Sequence, residues 1–250
     1  MKQALIDYTL HLADNSLILG QRNAEWCGHG PVLEQDIAIT NISLDLIGQA
    51  RNFYQYAATL IGNNATEDSL AYLRMENEFK NCLLVEQPRG DWAQTILRQF
   101  FFSQYQFILF QQLQNSRDEQ LAAIAEKSLK EVTYHLRWSS EWAIRLGDGT
   151  EESHKRMIKA IDELWKYTGE IFEAAGYELR VASEGTGVDV AKLKVEWLNK
   201  VKEVFSEATL TIPGKTSMQE GGKEGKHTEH LSRILTELQY MQRTYPGCEW

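Results

Sequence analysis

Proline is scarce in this 250-residue sequence. Only Pro31, Pro88, Pro213 and Pro246 are present, so the 124 residues between the second and the third contain none. A β-sandwich, whose strands alternate with frequent turns, rarely tolerates such a gap. We therefore predict an all-α fold. The length and the composition, 43% hydrophobic and 24% charged, fit one globular domain over residues 1–250.

Cysteines and long apolar runs are scarce as well. Cys27, Cys82 and Cys248 form no CxxC pair, and their odd number argues against a disulfide framework or a zinc site. No apolar run reaches the length of a membrane helix. The first twenty residues, interrupted by Asp7 and Asp14, do not resemble a signal peptide. These features predict a cytoplasmic protein.

Basic residues are outnumbered by acidic ones. The 26 Lys and Arg residues face 35 Asp and Glu residues, which gives a net charge of −9. Partners rich in phosphate require a positive field. We therefore expect neither nucleic acid nor an anionic membrane as the general partner, although a local basic patch is compatible with this balance.

Apolar periodicity and helix-boundary residues predict four long helices, at about 3–25, 31–61, 91–115 and 119–146. Pro31 suits the first turn of the second helix and Gly62 its end, while Asp118 suits the start of the fourth. These helices form a predicted core bundle over residues 3–147. Additional helices, within residues 150–243, are expected at about 151–175, 188–206 and 226–243.

About thirty residues separate the second long helix from the third. They include DSLAYLRMENEFKNCLLVE, residues 68–86, which we predict to be one further helix that is long enough to cross the bundle. A single long crossover is typical of ferritin-like four-helix bundles, the architecture that we predict here.

Ferritin-like bundles that hold two iron ions take a Glu from each of two helices. The other two helices each supply a carboxylate followed three residues later by His. In the second helix Asp45 shares a stripe with Ile42 and Gln49, which we interpret as facing the core. The place of the His is taken by Gly48, which has no side chain to coordinate a metal. We expect Asp45 to have a structural partner, such as an Arg or a hydroxyl.

The fourth helix carries Glu131 and His135, four residues apart and hence on one helical face. Such a pair could contact one metal ion, and a metal site built from Asp45, Glu131 and His135 is the alternative that stays open. We interpret Glu131 and His135 as a buried hydrogen-bonded or ionic pair, because buried charges are usually paired.

The third helix lies in a stretch, Trp92 to Arg117, that contains no Asp, Glu or His. Its seven glutamines are poor substitutes for the carboxylates that offset the charge of paired metal ions. We therefore expect no metal site in this chain. Six aromatic residues predict a helix buried on several faces: Phe100, Phe101, Phe102, Tyr105, Phe107 and Phe110. The alternative is that one face of this helix contacts a partner subunit.

Two segments with several glycines contain residues of chemical interest. Cys27 and His29 lie two apart before a helix start, where we expect a tight turn and no nucleophile. Residues 221–227, GGKEGKH, could present backbone N–H groups to a phosphate of coenzyme A, or contact a partner. They lack P-loop spacing, and we predict a flexible connection.

Five segments, in this order, resemble the family of C subunits of bacterial 1,2-phenylacetyl-CoA epoxidase: ADNSLILGQRNAEWCGHGPVLEQDIAITNISLDLIGQARN, LLVEQPRGDWAQTILRQF, KEVTYHLRWSSEWAIRLGDGT, GGKEGKHTEHL and MQRTYPG. The resemblance covers nearly the whole chain. It implies a ferritin-like component of a multicomponent monooxygenase. The related catalytic A subunit is implied to hold the di-iron centre and to epoxidise phenylacetyl-CoA, with oxygen and with electrons that a reductase takes from NADPH.

Three functions then compete. The resemblance and the missing ligands favour a structural, non-catalytic subunit that docks onto the di-iron subunit in a hetero-oligomer for aerobic phenylacetate degradation. In that case the chain has no catalytic, cofactor-binding or metal-binding residue. The second function is an oxygenase subunit with an unusual metal site at Asp45, Glu131 and His135. The third is an independent helical binding module without an oxygenase partner.

Overall fold

The structure, a computed structural model, describes residues 2–248, and every regular element in that range is helical. The α-helices are α1 (Lys2–Ala24), α2 (Leu33–Ile61), α3 (Glu67–Tyr72), α4 (Leu83–Glu86), α5 (Trp92–Leu113), α6 (Glu119–Gly147), α7 (Glu151–Leu164), α8 (Gly176–Glu184), α9 (Lys194–Glu207), α10 (Glu229–Leu238) and α11 (Tyr240–Thr244). The predicted all-α fold is confirmed. In residues 2–248, no helix combines the length and the apolar character needed to cross a bilayer.

Helices α1, α2, α5 and α6 form the bundle. The contacts Ser16–Gln106 and Asn23–Gln99 show that α1 and α5 run antiparallel, and α2 and α6 are likewise antiparallel. Short loops join α1 to α2 and α5 to α6. Consequently α2 and α5 run in the same direction, and the chain crosses the bundle between them. This single long crossover makes the fold ferritin-like, as predicted.

The four bundle helices agree with their predicted bounds within two residues. The Asp118 carboxylate caps α6 by accepting the N–H of Leu121 at 2.9 Å. Gly62, whose φ of 74° favours glycine, ends α2. Pro31 lies ahead of α2 and not in its first turn, because Val32 is the extended residue from which the helix begins.

The crossover is not the single helix that was predicted for residues 68–86. It contains α3, a 3₁₀ turn at Glu76–Glu78 and α4, with irregular residues between them. The fully buried carboxylate of Asp14 in α1 explains the break. It is paired with the Arg74 guanidinium, and it accepts the Tyr54 hydroxyl at 2.6 Å and the Lys80 N–H at 2.8 Å. A continuous helix would use the Lys80 N–H within its own backbone.

The C-terminal half is also more divided than the sequence predicted. The expected helix at 151–175 is wrong beyond Leu164, where 3₁₀ turns at Trp165–Tyr167 and Glu170–Phe172 replace it. In the second turn Glu170 directs its carboxylate to the backbone of residues 221–222. Helix α8 was not predicted, and the expected helix at 226–243 is divided at Gln239.

The aromatic side chains of α5 lie in the centre of one cluster of buried apolar residues that extends from Ala4 to Leu235. Phe100, Phe101 and Phe102 are all buried, and the Phe101 ring packs against rings from the C-terminal half of the chain, those of Trp165, Trp197 and Phe205. The prediction of a helix buried on several faces is confirmed. Five of the six rings are buried within the chain and Phe107 is half-buried, so α5 presents no exposed aromatic face to a partner.

A buried histidine connects the C-terminal helices to the crossover. His227 Nδ1 lies 2.8 Å from Oε2 of Glu86, and Nε2 lies 3.0 Å from the Phe79 carbonyl oxygen. Both neighbours are acceptors, so both ring nitrogens must donate, which only the imidazolium can do. Burial lowers the pKa of His227, but the hydrogen bond and the charge of Glu86 outweigh it, and the pKa is raised above 6.5.

We expect this pair to make stability dependent on pH. The folded state holds the His227 proton more tightly than the unfolded state, so the stabilisation is complete below pH 6.5 and is lost as pH rises through the raised pKa. Thermal unfolding of the wild type and of His227→Gln should therefore differ most at low pH and progressively less at high pH. The difference between the two proteins is the quantity to follow, because His11 and His230 have lowered pKa values and act in the opposite sense. A difference that does not change with pH would contradict the cationic assignment.

Candidate functional site

Each of the four bundle helices contributes one polar side chain to a connected layer, which we call the central layer: Ser16, Gln49, Gln106 and Glu131. Gln106 Nε2 lies 3.5 Å from both Ser16 Oγ and Gln49 Oε1. Gln49 Nε2 donates to Glu131 Oε2 at 2.9 Å. Ser16, Gln49 and Gln106 are buried, and Glu131 is half-buried.

The residue types of the central layer suit its burial. The Ser16 hydroxyl donates to the Leu12 carbonyl of its own helix at 3.1 Å, which leaves an oxygen lone pair free to accept from Gln106. A glutamine amide can both donate and accept, so Gln49 links Gln106 to Glu131. The layer therefore connects all four helices through side chains of which only Glu131 is an acid.

Asp45 and His135 form a second contact between α2 and α6. His135 Nε2 lies 3.0 Å from Asp45 Oδ2, with the imidazole fully buried and the carboxylate about one-third exposed. The expected structural partner of Asp45 is thus His135, and not an Arg or a hydroxyl. The predicted pairing of Glu131 with His135 is wrong. Glu131 and His135 of α6 face Gln49 and Asp45 of α2, so each of these residues bonds to a residue of the other helix.

Gly48 lies on the outside of the bundle. The residue is exposed, and a Cβ placed there would meet no atom within 4 Å. A His at this position would point away from the interior, so the interpretation of Gly48 as the site of a lost ligand is wrong. Gln49, one residue further on, is the α2 residue that reaches the central layer.

The donor set does not fit a pair of iron ions. Three helices contribute a hydroxyl or an amide to the central layer, and neutral donors do little to offset the charge of two metal ions. Its one carboxylate, Glu131, is already hydrogen-bonded to Gln49. Within the described residues, 2–248, no group of three or more His, Cys, Asp or Glu side chains is arranged to hold a metal ion.

The sequence predicts only part of the central layer. Gln49 lies on the predicted core stripe of α2, and α5 is rich in glutamine, but no sequence pattern connects Gln49 to Gln106. Ser16 gave no signal, because a serine inside a helix is compatible with either exposure or burial.

The segment with Cys27 and His29 is a turn, as predicted. The Asp36 carboxylate accepts the N–H of Gly28 at 3.2 Å and the N–H of Gly30 at 2.8 Å, and these donors lower the pKa of Asp36. His29 Nδ1 lies 3.1 Å from the Cys27 carbonyl oxygen, so the imidazole contacts backbone.

The segment at 221–227 is a packed part of the fold, and the prediction of a flexible connection is wrong. Glu170 accepts the N–H of Gly221 at 2.8 Å and that of Gly222 at 2.7 Å, and also the N–H of Leu83 at 2.7 Å. Lys223 is buried, with its ammonium 2.9 Å from the Glu178 carboxylate. The backbone donors that a phosphate would use are therefore occupied by a carboxylate of the same chain.

The sequence matches the family described as phenylacetic acid catabolic protein over residues 1–250. It is also similar to the C subunit of 1,2-phenylacetyl-CoA epoxidase from Escherichia coli (strain K12). The two chains are 50% identical over 246 residues, which are 98% of this chain and 99% of that protein. The likeness thus covers the bundle, the crossover and the C-terminal helices.

Replacing Gln106 by Glu should destabilise the chain. The new carboxylate would be buried near Glu131, and it would lose the amide donor that reaches Ser16 and Gln49. We expect a loss of about 2 kcal/mol in the free energy of unfolding at neutral pH, measured in urea. Part of it should return as pH falls, because burial raises the pKa of the new carboxyl group and protonation removes its charge.

Gln111→Glu is the matched control, since Gln111 is exposed on the same helix. Its loss in the free energy of unfolding should be much smaller and should not diminish as pH falls. If Gln106→Glu lowered the free energy of unfolding as little as Gln111→Glu, the central layer would tolerate a second charge.

Proposed function

Since this chain belongs to the phenylacetic acid catabolic protein family, we propose that it is the structural, non-catalytic C subunit of a multicomponent phenylacetyl-CoA epoxidase. In this role it docks onto and stabilises the related catalytic A subunit, which holds the di-iron centre. That partner performs the ring 1,2-epoxidation in aerobic phenylacetate degradation, with oxygen and with electrons from NADPH. The chain acts in the cytoplasm, within a hetero-oligomer with the other epoxidase subunits, and holds no cofactor or catalytic residue itself.

The central layer carries the proposal. In a di-iron bundle the four helices direct carboxylates and histidines at this position. Here two amides and a hydroxyl occupy it, and they bond to one another and to Glu131. These bonds link all four helices without a metal, which suits a support for a second bundle, although the buried Gln106 Oε1 has no hydrogen-bond partner.

The alternative metal site at Asp45, Glu131 and His135 has less support. Asp45 is bonded to His135, whereas Glu131 is bonded to Gln49, so the three side chains do not converge on one point. An independent binding module is also less well supported, because the likeness to an epoxidase subunit extends over almost the whole chain.

Metal analysis of the purified chain tests the non-catalytic role. We expect iron and manganese well below one ion per chain after expression in medium that contains both metals. Two ions per chain would contradict the proposal.

The epoxidase reconstituted with His135→Ala provides a second test of the same role. Because His135 is assigned only a structural contact with Asp45, epoxidation should persist wherever gel filtration shows that the complex still assembles. A steep fall in epoxidation with intact folding and assembly would favour the metal site.

A further inference from the structure

Helix α2 exposes apolar side chains on the side that faces away from the bundle. Leu33, Ile37 and Leu44 are exposed to 71%, 52% and 62%. At 3.6 residues per turn, these three positions and Gly48 fall within one narrow sector of the helix, about 22 Å long. The outward sector of a bundle helix usually carries charged and polar residues, so this stripe is unusual.

Gly48 has no role within the chain that would require glycine. It is not among the residues with positive φ, and a Cβ there would meet nothing within 4 Å. Glycine is among the least favourable residues in a helix interior. It is useful where another backbone must come close, as at a close crossing of two helices.

Tyr134 extends the apolar surface onto α6. It is 37% exposed, and it precedes His135, which contacts Asp45 of α2. Together with Val32, which is also exposed, these residues form what we call the outer α2 face: Val32, Leu33, Ile37, Leu44, Gly48 and Tyr134. Neighbouring apolar side chains that are exposed over several helical turns mark a protein interface more often than a free surface.

The charge of the residues around the outer α2 face distinguishes a second copy of this chain from a basic partner. From Asn23 to Ala50 the sequence contains no Lys or Arg, and Glu34, Asp36 and Asp45 make this part of α2 acidic. The two cations nearest this face are engaged within the chain: Arg51 is paired with Glu67 at 2.9 Å, and Arg137 lies over the Tyr134 ring. In a two-fold contact centred on α2, a second copy would bring the same acids against those of the first. A partner helix flanked by Lys or Arg would be attracted instead.

We propose that the outer α2 face binds the catalytic subunit of the epoxidase, through a helix of that subunit with an apolar stripe flanked by basic residues. This inference rests on the proposed function and adds the position of the contact and the chemistry of the partner. Leu33, Ile37 and Leu44 form the apolar centre of the interface, and Gly48 admits the close crossing. The acids of α2 form its rim.

Binding of the purified catalytic subunit to variants of this chain, measured by calorimetry, tests the surface. Ile37→Lys, Leu44→Lys and Gly48→Leu should each weaken binding at least about tenfold, because each alters the centre of the contact. Leu44→Glu should weaken it less than Leu44→Lys, since the rim of the partner is basic. Val195→Lys is the matched control: Val195 is 70% exposed on α9, which packs against α5 and α6, and this variant should bind like the wild type.

The isolated chain supplies a control for folding. The exposed substitutions should leave its thermal unfolding nearly unchanged, and Gly48→Ala should raise the unfolding temperature by about 2–4 °C because alanine favours the helix. A fall of many degrees for Gly48→Ala would show that glycine is needed within the chain, which would overturn the argument from Gly48.

The outcomes separate this inference from the function on which it rests. If the wild type does not bind the catalytic subunit, the proposed function fails and the interface fails with it. If the wild type binds and the three variants bind equally well, only the outer α2 face is wrong. If the chain alone forms a dimer that these variants abolish, a second copy is the occupant. If Leu44→Glu is the more damaging change at that position, the partner is not basic.

Discussion

A buried carboxylate must be paired, and this requirement determines how the outer parts of the molecule are held to the bundle. Within residues 2–248, four acids are almost completely buried: Asp14, Glu86, Glu170 and Glu178. Asp14 holds the crossover through Arg74, Tyr54 and Lys80. The other three, in the crossover, in the second 3₁₀ turn after α7 and in α8, bond to residues 221–228, and Glu170 also bonds to Leu83 of the crossover. Each acid therefore fixes one chain segment to another that is distant in sequence.

The centre of the bundle differs from these outer parts, because it contains few charged side chains. Its polar groups are mostly neutral, and a neutral amide can satisfy several neighbours without a counter-ion. Glu131 is the one acid of the central layer, and it lies towards the half-exposed edge where solvent reduces the cost of its charge. The full charges of the molecule are thus concentrated outside the position at which a di-iron protein would place them. This separation supports the proposal that the chain acts as a structural subunit.

The sequence predicted well what depends on near neighbours. The long helices, the cap at Asp118 and the end at Gly62 follow from local periodicity and local hydrogen bonds. Contacts between residues that are distant in sequence could not be predicted from these local patterns. Asp14 and Arg74 are sixty positions apart, and their pairing breaks the crossover. The glycines at 221 and 222 looked like a linker because their partner, Glu170, lies about fifty positions earlier.

At the candidate site, the prediction for Gly48 was wrong because this residue lies on the outer side of α2, and not on the side that faces the core. A residue three positions from Asp45 turns by about 300°, and a difference of one position decides whether a side chain points into the bundle or out of it. The periodicity located the core-facing stripe but not its edges. Asp45 lies at such an edge, so its neighbour Gln49 reaches the interior while Gly48 does not.

The buried acids also order the events of folding. Glu86 has its partners at His227 and Thr228, and Glu170 at Gly221 and Gly222, so both acids lack these bonds until nearly the whole chain has been synthesised. The amino-terminal helices are made first and can associate early. The crossover and the turns after α7, however, gain these bonds only when residues 221–228 are present. A chain truncated before residue 221 would leave Glu86 and Glu170 without these partners.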